Sequence, residues 1–211
     1  MFLQLLRICL PTAVLLGAAP VKAMPLISEI FYDAAGADGG HVFVEIWGTA
    51  GTALSGLVLE GVNGSNGSIT HTLALSGTIP GDGLFVVASD RGDGASDVPE
   101  ADLVLAFDFQ NGPDSVVLRG VDGVLDAVGY GVFGPGQVFA GEGFPAADAA
   151  AGESLARHFA NRDTDHNALD FGVLAAATPG TAPLMLLPEP GSLVLCMAGL
   201  AGLAVFGRRV G

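Results

Sequence analysis

Val42-Phe43-Val44-Glu45-Ile46 is a stretch whose side chains alternate, with Val42, Val44 and Ile46 on one face and Phe43 and Glu45 on the other. A period of two residues is that of a β-strand, because successive side chains of an extended chain point in opposite directions. The stretch therefore predicts a strand with one apolar face packed against a core.

Similar apolar runs of five to eight residues occur throughout residues 24–187, separated by Gly, Asp, Asn, Ser and Pro. The predicted strands cover residues 26–32, 42–47, 54–60, 68–75, 84–89, 103–108, 115–119 and 124–129. Strands about ten residues apart with turn residues between them are typical of a β-sandwich or barrel. Asp122-Gly123 predicts a hairpin, and two Asn-Gly pairs within residues 61–68 predict another turn. Because no segment of this region shows a sustained helical period, we expect an all-β domain.

The composition disfavours several classes of protein. Of 211 residues, 22 are acidic and 8 are basic, which gives a formal net charge of −14, and 32 are glycine. So much glycine and so few charges disfavour a helical bundle or coiled coil. The acidic excess argues against nucleic-acid binding, since neutralising phosphates requires clustered Lys and Arg. Both cysteines, Cys9 and Cys196, lie in the terminal segments, so the domain between them depends on core burial rather than on a disulfide.

Residues 1–23 have the pattern of a secretory signal peptide. Arg7 precedes an apolar run at residues 8–19, and Val21-Lys22-Ala23 supplies small residues at the cleavage positions. We therefore expect export and cleavage after Ala23. The alternative is an uncleaved anchor, although the apolar run is shorter than the roughly 20 residues that a membrane span requires.

The C-terminal residues 188–211 predict a second targeting segment. Pro188-Glu189-Pro190 precedes an uncharged run at residues 193–207, and Arg208-Arg209 follows that run. Fifteen apolar residues span a bilayer only marginally, and the arginines place this end on the cytoplasmic side. The segment predicts a short transmembrane helix that tethers an exported domain.

The same ordered features closely resemble the PEP-CTERM sorting signal of Gram-negative bacteria. The resemblance rests on Pro188, Glu189 and Pro190, the short apolar helix, and the pair Arg208 and Arg209. It implies that an exosortase recognises the motif and processes the protein during export. The protein would then lie in the cell envelope or on the outer surface, or be released. The alternative is a plain anchor in which the prolines only stop the helix.

One acidic segment has the character of a calcium loop. Its candidate ligands are Asp163, Asp165, Asn167 and Asp170. A hard cation requires several carboxylate and amide oxygens to converge within about 2.5 Å. The sixth and twelfth loop positions carry Ala168 and Leu174 instead of Gly and Glu, which rules out a complete EF-hand. The alternative is a set of Asx turns that cap local backbone N–H groups.

A second acidic loop, residues 90–97, has three carboxylates among glycines. It is interpreted as a solvated hairpin tip, with weak cation binding as the alternative.

Residues 129–152 form a long glycine-rich segment in which Phe133, Phe139 and Phe144 either pack back onto the sandwich or form an exposed contact surface.

The sequence contains no convincing catalytic constellation. Gly152-Glu153-Ser154-Leu155-Ala156 approximates the G-x-S-x-G nucleophile elbow but ends in Ala and lies outside any strand-to-helix unit. The histidines show no metal-binding spacing; they are His41, His71, His158 and His166. We therefore expect a protein that is not an enzyme.

Several short stretches, taken in order, resemble the lamin-tail domain, an immunoglobulin-like module shared by nuclear lamins and many exported bacterial proteins. They are Ile27-Ser28-Glu29-Ile30, Phe43-Val44-Glu45-Ile46, Leu54-Ser55-Gly56-Leu57-Val58-Leu59, Leu125-Asp126-Ala127-Val128-Gly129-Tyr130-Gly131, Glu153-Ser154-Leu155-Ala156-Arg157, the run from Asp163 to Phe171, and Thr178-Pro179-Gly180. Trp47-Gly48 departs from the family pattern, which usually has an aromatic residue and then Asn. The resemblance implies an immunoglobulin-like β-sandwich that binds or targets without catalysing, and it carries over no catalytic residue.

These observations predict a signal peptide at residues 1–23, a lamin-tail-like domain at 24–182, a linker at 183–187 and a sorting segment at 188–211. We expect a structural or adhesive module of the biofilm matrix. Its expected partners are the exosortase, exopolysaccharide or other envelope proteins, and the membrane until the tail is processed. The competing interpretations are a cation-dependent extracellular hydrolase and a calcium-stabilised spacer, both using the segment from Asp163 to Asp170. Residues 24–187 contain four arginines, no lysine and 21 acidic residues, a net charge of −17 that suits a soluble exported domain.

Overall fold

The structure is a computed structural model that describes residues 23–185. Within that range the chain forms ten β-strands and one helical turn. In chain order they are β1 (Leu26–Phe31), β2 (Phe43–Trp47), β3 (Val58–Asn63), β4 (Ile69–Ala74), β5 (Leu84–Ser89), β6 (Ala101–Leu105), β7 (Asp114–Gly120), β8 (Gly123–Tyr130), β9 (Ser154–Arg157), α1 (Asn167–Asp170) and β10 (Phe171–Leu174).

The strands form two sheets that enclose one core, which confirms the all-β prediction. The larger sheet has the order β10-β9-β1-β2-β5-β6, and the smaller sheet has the order β4-β3-β7-β8. All neighbouring strands are antiparallel except β5 and β6. The main apolar cluster takes side chains from both sheets, among them Ile27, Val44, Leu59, Leu118 and Val128. Between residues 23 and 185, no helix is long and apolar enough to cross a bilayer.

Both faces of β2 are buried, although the alternation predicted burial of one face only. Val44 and Ile46 are fully buried in the core between the sheets. Phe43 and Glu45 point away from that core, yet only 1% and 0% of their surfaces are exposed. The outer face of the larger sheet is therefore covered as well, by Val98 from the loop before β6 and by the chain that follows β10.

All eight strands predicted from the sequence have counterparts, with two displaced boundaries. The strand predicted at 54–60 lies at Val58–Asn63, because the Leu57 N–H donates to the Leu54 carbonyl at 3.0 Å and closes a turn there. The strand predicted at 103–108 is β6, which ends at Leu105. The sequence did not predict the four-residue strands β9 and β10 or the single turn α1.

Both predicted turns are confirmed. β7 and β8 pair through to Gly120 and Gly123, which places Asp122 at the tip of a hairpin. Between β3 and β4, the Asn63 side chain accepts the Ser65 N–H at 2.8 Å, and the Asn66 side chain accepts the Ser68 N–H at 2.8 Å. These Asx turns satisfy the backbone where the chain reverses.

The glycine-rich segment after β8 combines both predicted arrangements of its phenylalanines. Phe133 and Phe139 contact each other edge to face at 5.2 Å, and a side chain at Gly129 would collide with the Phe139 ring. Gly129 thus allows Phe139 to pack onto β8. Phe144 remains 69% exposed, so the segment also presents an apolar surface.

Candidate functional site

Arg157 of β9 is a fully buried cation at one end of the sandwich. Its guanidinium donates to both carboxylate oxygens of Asp126 at 2.9 and 3.0 Å, to Asp163 at 3.1 Å and to Asp170 at 3.3 Å. It also donates to the carbonyls of Ile27 and Arg162, and it lies 4.6 Å from the centre of the Phe171 ring. A buried charge requires such complete pairing, since removing it from water is otherwise very costly. We call Arg157, Asp126, Asp163 and Asp170 the Arg157 cluster.

Two of the predicted calcium ligands belong to this cluster. Asp163 and Asp170 both accept hydrogen bonds from Arg157, so a protein cation already lies between them. Asp170 also accepts the Thr164 N–H and hydroxyl, each at 2.8 Å. Burial opposes ionisation of Asp170, but these bonds and Arg157 outweigh it and lower its pKa. The backbone N–H of Asp165 donates to Asp163 at 3.1 Å, which is one of the predicted Asx contacts.

Asn167, the fourth predicted ligand, is fully buried and binds backbone groups. Its side-chain oxygen accepts the N–H groups of Gly129 at 2.9 Å and Glu142 at 2.8 Å, and its amide donates to the Ala127 carbonyl at 2.8 Å. The Asn167 N–H donates to the Glu142 carbonyl at 2.9 Å. Asn167 therefore holds the glycine-rich segment against β8, and its side-chain oxygen points at two N–H donors.

A different set of carboxylates has spacing suited to a metal. Asp126, Glu142 and Asp163 each place one oxygen within 4.8 Å of the others, and they form the single such group among residues 23–185. One oxygen of Glu142 is buried without a hydrogen-bond partner. Burial and the charges of Asp126, Asp163 and Asp165 raise the pKa of Glu142 to about 8. Glu142 therefore favours its protonated form at neutral pH, and Arg157 already bonds the other two carboxylates, Asp126 and Asp163.

The sequence analysis did not select Asp126 or Glu142 as candidate ligands. Asp126 lies in β8. Glu142 lies near it because the hydrogen bond from the Glu142 N–H to Asn167 positions the glycine-rich segment. Burial is the main cause that raises the pKa of Asp126 to about 6, and Arg157 opposes it. A lone Asp inside an apolar strand, as in Val124-Leu125-Asp126-Ala127-Val128, was the available signal, because a buried carboxylate requires a partner.

The outer face of the larger sheet contains two buried glutamates opposite each other on neighbouring strands, Glu29 in β1 and Glu45 in β2. Glu29 accepts the N–H and hydroxyl of Thr178 at 2.9 and 2.8 Å, and Glu45 accepts the Gly180 N–H at 2.7 Å. Burial raises the pKa of Glu45 to about 7. These bonds fasten residues 175–185 across the sheet, and we call this segment the C-terminal strap.

Ser154, the serine of the approximate nucleophile elbow, lies in β9 beneath this strap. It is fully buried, and its hydroxyl donates to Glu29 at 2.6 Å. Glu29 also accepts both hydrogen bonds from the strap residue Thr178, so the hydroxyl of Ser154 helps to fasten β9, β1 and the strap together.

An open cavity of about 380 Å³ lies beside the strap, and we call it the Phe31 groove. The aromatic, proline and polar residues that line it are Phe31, His41, Phe43, Asp97, Pro99 and Pro179. The Phe31 and Phe43 rings lie 5.9 Å apart. At the rim, His41 Nε2 lies 3.8 Å from an oxygen of Asp97, and these side chains are 49% and 44% exposed. An apolar surface with a polar rim is the usual composition of a small-ligand site.

The groove was not predicted, because its residues come from three distant parts of the chain.

Two predicted segments lie outside the described residues. They are the signal peptide, apart from Ala23, and the sorting residues Pro188, Glu189, Pro190, Arg208 and Arg209.

Comparisons with protein-family models, curated proteins and solved structures find no significant match to this chain.

Proposed function

We propose that this protein is an exported, non-catalytic binding module of the bacterial envelope that attaches to matrix polysaccharide. In this proposal the two-sheet domain is an immunoglobulin-like sandwich of the lamin-tail type, and an exosortase sorts it through the tail at residues 188–211. The observation that carries the proposal is the Phe31 groove, which combines an apolar surface with hydrogen-bonding groups at an accessible rim.

The stretches that carry the lamin-tail resemblance support a separation between residues that stabilise the fold and residues that bind a ligand. Their polar residues bind one another inside the protein: Ser28 donates to Glu45 at 2.7 Å, and Ser154 donates to Glu29. Asp126 and Arg157 form the buried pair. The resemblance therefore rests on residues that stabilise the fold, and binding specificity is left to side chains outside those contacts.

A sugar ring fits the chemistry of the Phe31 groove. Each ring has an apolar face of C–H groups and an edge of hydroxyls, which suits the partly exposed Phe31, backed by the buried Phe43, and His41 and Asp97 at the rim. The cavity volume of about 380 Å³ lies within the range of ligand clefts, about 300–1,000 Å³.

The test is cosedimentation of the purified full chain with polysaccharide isolated from a biofilm matrix. We expect binding that Phe31→Ser abolishes. Phe144→Ser is the matched control, because Phe144 is an exposed phenylalanine of the glycine-rich segment, away from the residues that line the groove. If the wild type bound neither polysaccharide nor envelope fractions, the proposal would be wrong. Intact-mass measurement of envelope and medium fractions tests processing near Pro188.

The second candidate function is cation-dependent, either a calcium-stabilised spacer or an extracellular hydrolase. The observation that favours it is the spacing of Asp126, Glu142 and Asp163 within 4.8 Å. Calcium that binds only the folded state raises the melting temperature. We expect a calcium-dependent increase that Asp163→Asn removes if this candidate is correct. Hydrolase assays with and without calcium separate the enzyme from the spacer, and an unchanged melting temperature excludes both.

A further inference from the structure

We propose that the Phe31 groove binds a cationic glycan, a polymer of sugars that carry free amino groups. This inference rests on the proposed function and adds the chemical class of the polysaccharide.

The first argument is the charge of the whole domain. Residues 24–187 contain 21 acidic residues and four arginines. Three of those arginines are bound to carboxylates: Arg91 to Asp93 and Asp97, Arg119 to Glu60, and Arg157 to Asp126. An anionic polymer would be repelled by this surface, whereas a cationic polymer is attracted and concentrated near it.

The second argument is the local charge around the groove. One side is formed by Asp97, Val98 and Pro99, at the end of a loop whose residues 90–97 include three aspartates and one arginine. One oxygen of Asp97 accepts a hydrogen bond from Arg91 at 2.7 Å. The other oxygen lies 3.8 Å from His41 Nε2 on a side chain that is 44% exposed, so it can accept a hydrogen bond from a ligand amine. Asp97 is the carboxylate that lines the groove, and the domain's acidic excess surrounds it.

The third argument is the aromatic surface. Phe31 is partly exposed and tilted against the buried Phe43 ring. The face of an aromatic ring is the negative part of its quadrupole, so it attracts C–H groups of a sugar and also an ammonium group within about 6 Å. Pro99 and Pro179 add apolar walls. The groove thus presents an apolar platform next to the Asp97 carboxylate, which matches a ring with one apolar face and an amino group at its edge.

The experiment compares three polymers of similar length on the purified full chain in detergent. They are partly deacetylated poly-N-acetylglucosamine, its fully acetylated form and a polyuronate, all at a pH where the free amines are charged. We expect the deacetylated polymer to bind at least about tenfold more tightly than the acetylated one, and the polyuronate to bind least. Higher salt should weaken the binding of the deacetylated polymer.

Two pairs of variants separate the groove from general charge. Asp97→Asn should weaken binding of the deacetylated polymer about tenfold, while Asp122→Asn, which removes the same charge at an exposed hairpin tip, should change it less than about twofold. Phe31→Ser should abolish binding, and Phe144→Ser should not. Melting temperatures of all variants show whether the fold is retained, and Asp97→Asn leaves the apolar surface of the groove intact.

Each other outcome has a definite meaning. Equal binding of the acetylated and deacetylated polymers would overturn the inference and leave the proposed function standing. Equal losses in Asp97→Asn and Asp122→Asn would show a nonspecific charge effect and overturn it as well. If polylysine bound with the same dependence on Phe31 and Asp97, the ligand would be a cationic peptide instead. If no polysaccharide bound at all, both the inference and the proposed function would fail.

Discussion

Two clusters of arginine and aspartate in this protein have the same chemistry and opposite surroundings. Arg91 bonds Asp93 and Asp97 at 2.9 and 2.7 Å, and all three side chains are between 44% and 56% exposed. Arg157 bonds Asp126 at 2.9 Å, and both side chains are fully buried. Water screens the first cluster and is excluded from the second, so similar distances correspond to different contributions to stability.

The two clusters also differ in how they are assembled. The Arg91 cluster forms within seven consecutive residues and requires only a turn. The Arg157 cluster joins β8, β9, α1 and the loop before α1, so it forms only when the sandwich forms. The buried cluster is therefore expected to report on folding of the whole domain, and the exposed cluster on its own loop.

The largest effect is expected from Arg157→Met. Loss of the guanidinium leaves Asp126 buried without its cation, and breaking a buried pair in this way costs about 3–5 kcal/mol. Urea denaturation of the purified protein measures the free energy of unfolding. A loss below about 1 kcal/mol would mean that the Arg157 cluster is not required for stability.

The next largest effect is expected from Asn167→Ala. The side chain makes three hydrogen bonds that hold the glycine-rich segment to β8. Leaving those buried backbone groups unpaired costs about 2–3 kcal/mol. Hydrogen exchange should accelerate at Gly129 and Glu142 while the amides of β2 remain protected. Uniform acceleration in both regions would show that Asn167 does not act locally.

A smaller, pH-dependent effect is expected from Glu142→Gln. The pKa of Glu142 is about 8 in the folded protein and near 4.5 when unperturbed, so the folded state holds the proton more tightly. Its contribution to stability is complete below pH 4.5 and disappears as the pH rises through 8.

Between pH 6 and pH 9, the free energy of unfolding should therefore decrease by about 1–2 kcal/mol less in Glu142→Gln than in the wild type. This figure is reduced for the partial solvent exposure of Glu142. Asp122→Asn is the control at an exposed site, and its pH profile should follow that of the wild type. Identical profiles for all three proteins would contradict the protonation of Glu142. Glu45, with a pKa of about 7, contributes to the same decline and is unchanged in these variants.

The smallest effect is expected from Arg91→Met, the matched substitution in the exposed cluster. Pairing with Asp93 and Asp97 raises the pKa of Arg91, and the bond from Arg91 lowers the pKa of Asp93, but all of these groups remain in water. The melting temperature should stay within experimental error of the wild type. A loss comparable to that of Arg157→Met would remove the distinction between the two clusters.

Much of the fold could be predicted from the sequence, because strand periodicity and turn residues are local properties. Val42–Ile46 alternates because one face of β2 fills the core, and Asp122-Gly123 marks a hairpin tip. β9 and β10 were missed because four residues are too few to show a period. Their strand conformation comes from pairing with each other and with β1.

The candidate sites were less predictable, because they depend on contacts between distant segments. The acidic segment near Asp163 was recognised, but the sequence did not indicate that Arg157 would lie between Asp163 and Asp170. The Phe31 groove depends on the strap that carries Pro179, and nothing in the local pattern of that segment indicates where it lies.

The C-terminal strap also determines where the described chain ends relative to the Phe31 groove. Met185 and Asn161 exchange two hydrogen bonds at 2.7 and 2.9 Å, which places residue 185 beyond the end of β9. Because β9 runs antiparallel to β1, this is the end where β1 begins, and Phe31 ends β1 about 17 Å away. A domain held by its C-terminal end would therefore display the Phe31 groove at the other end of β1 from the point of attachment.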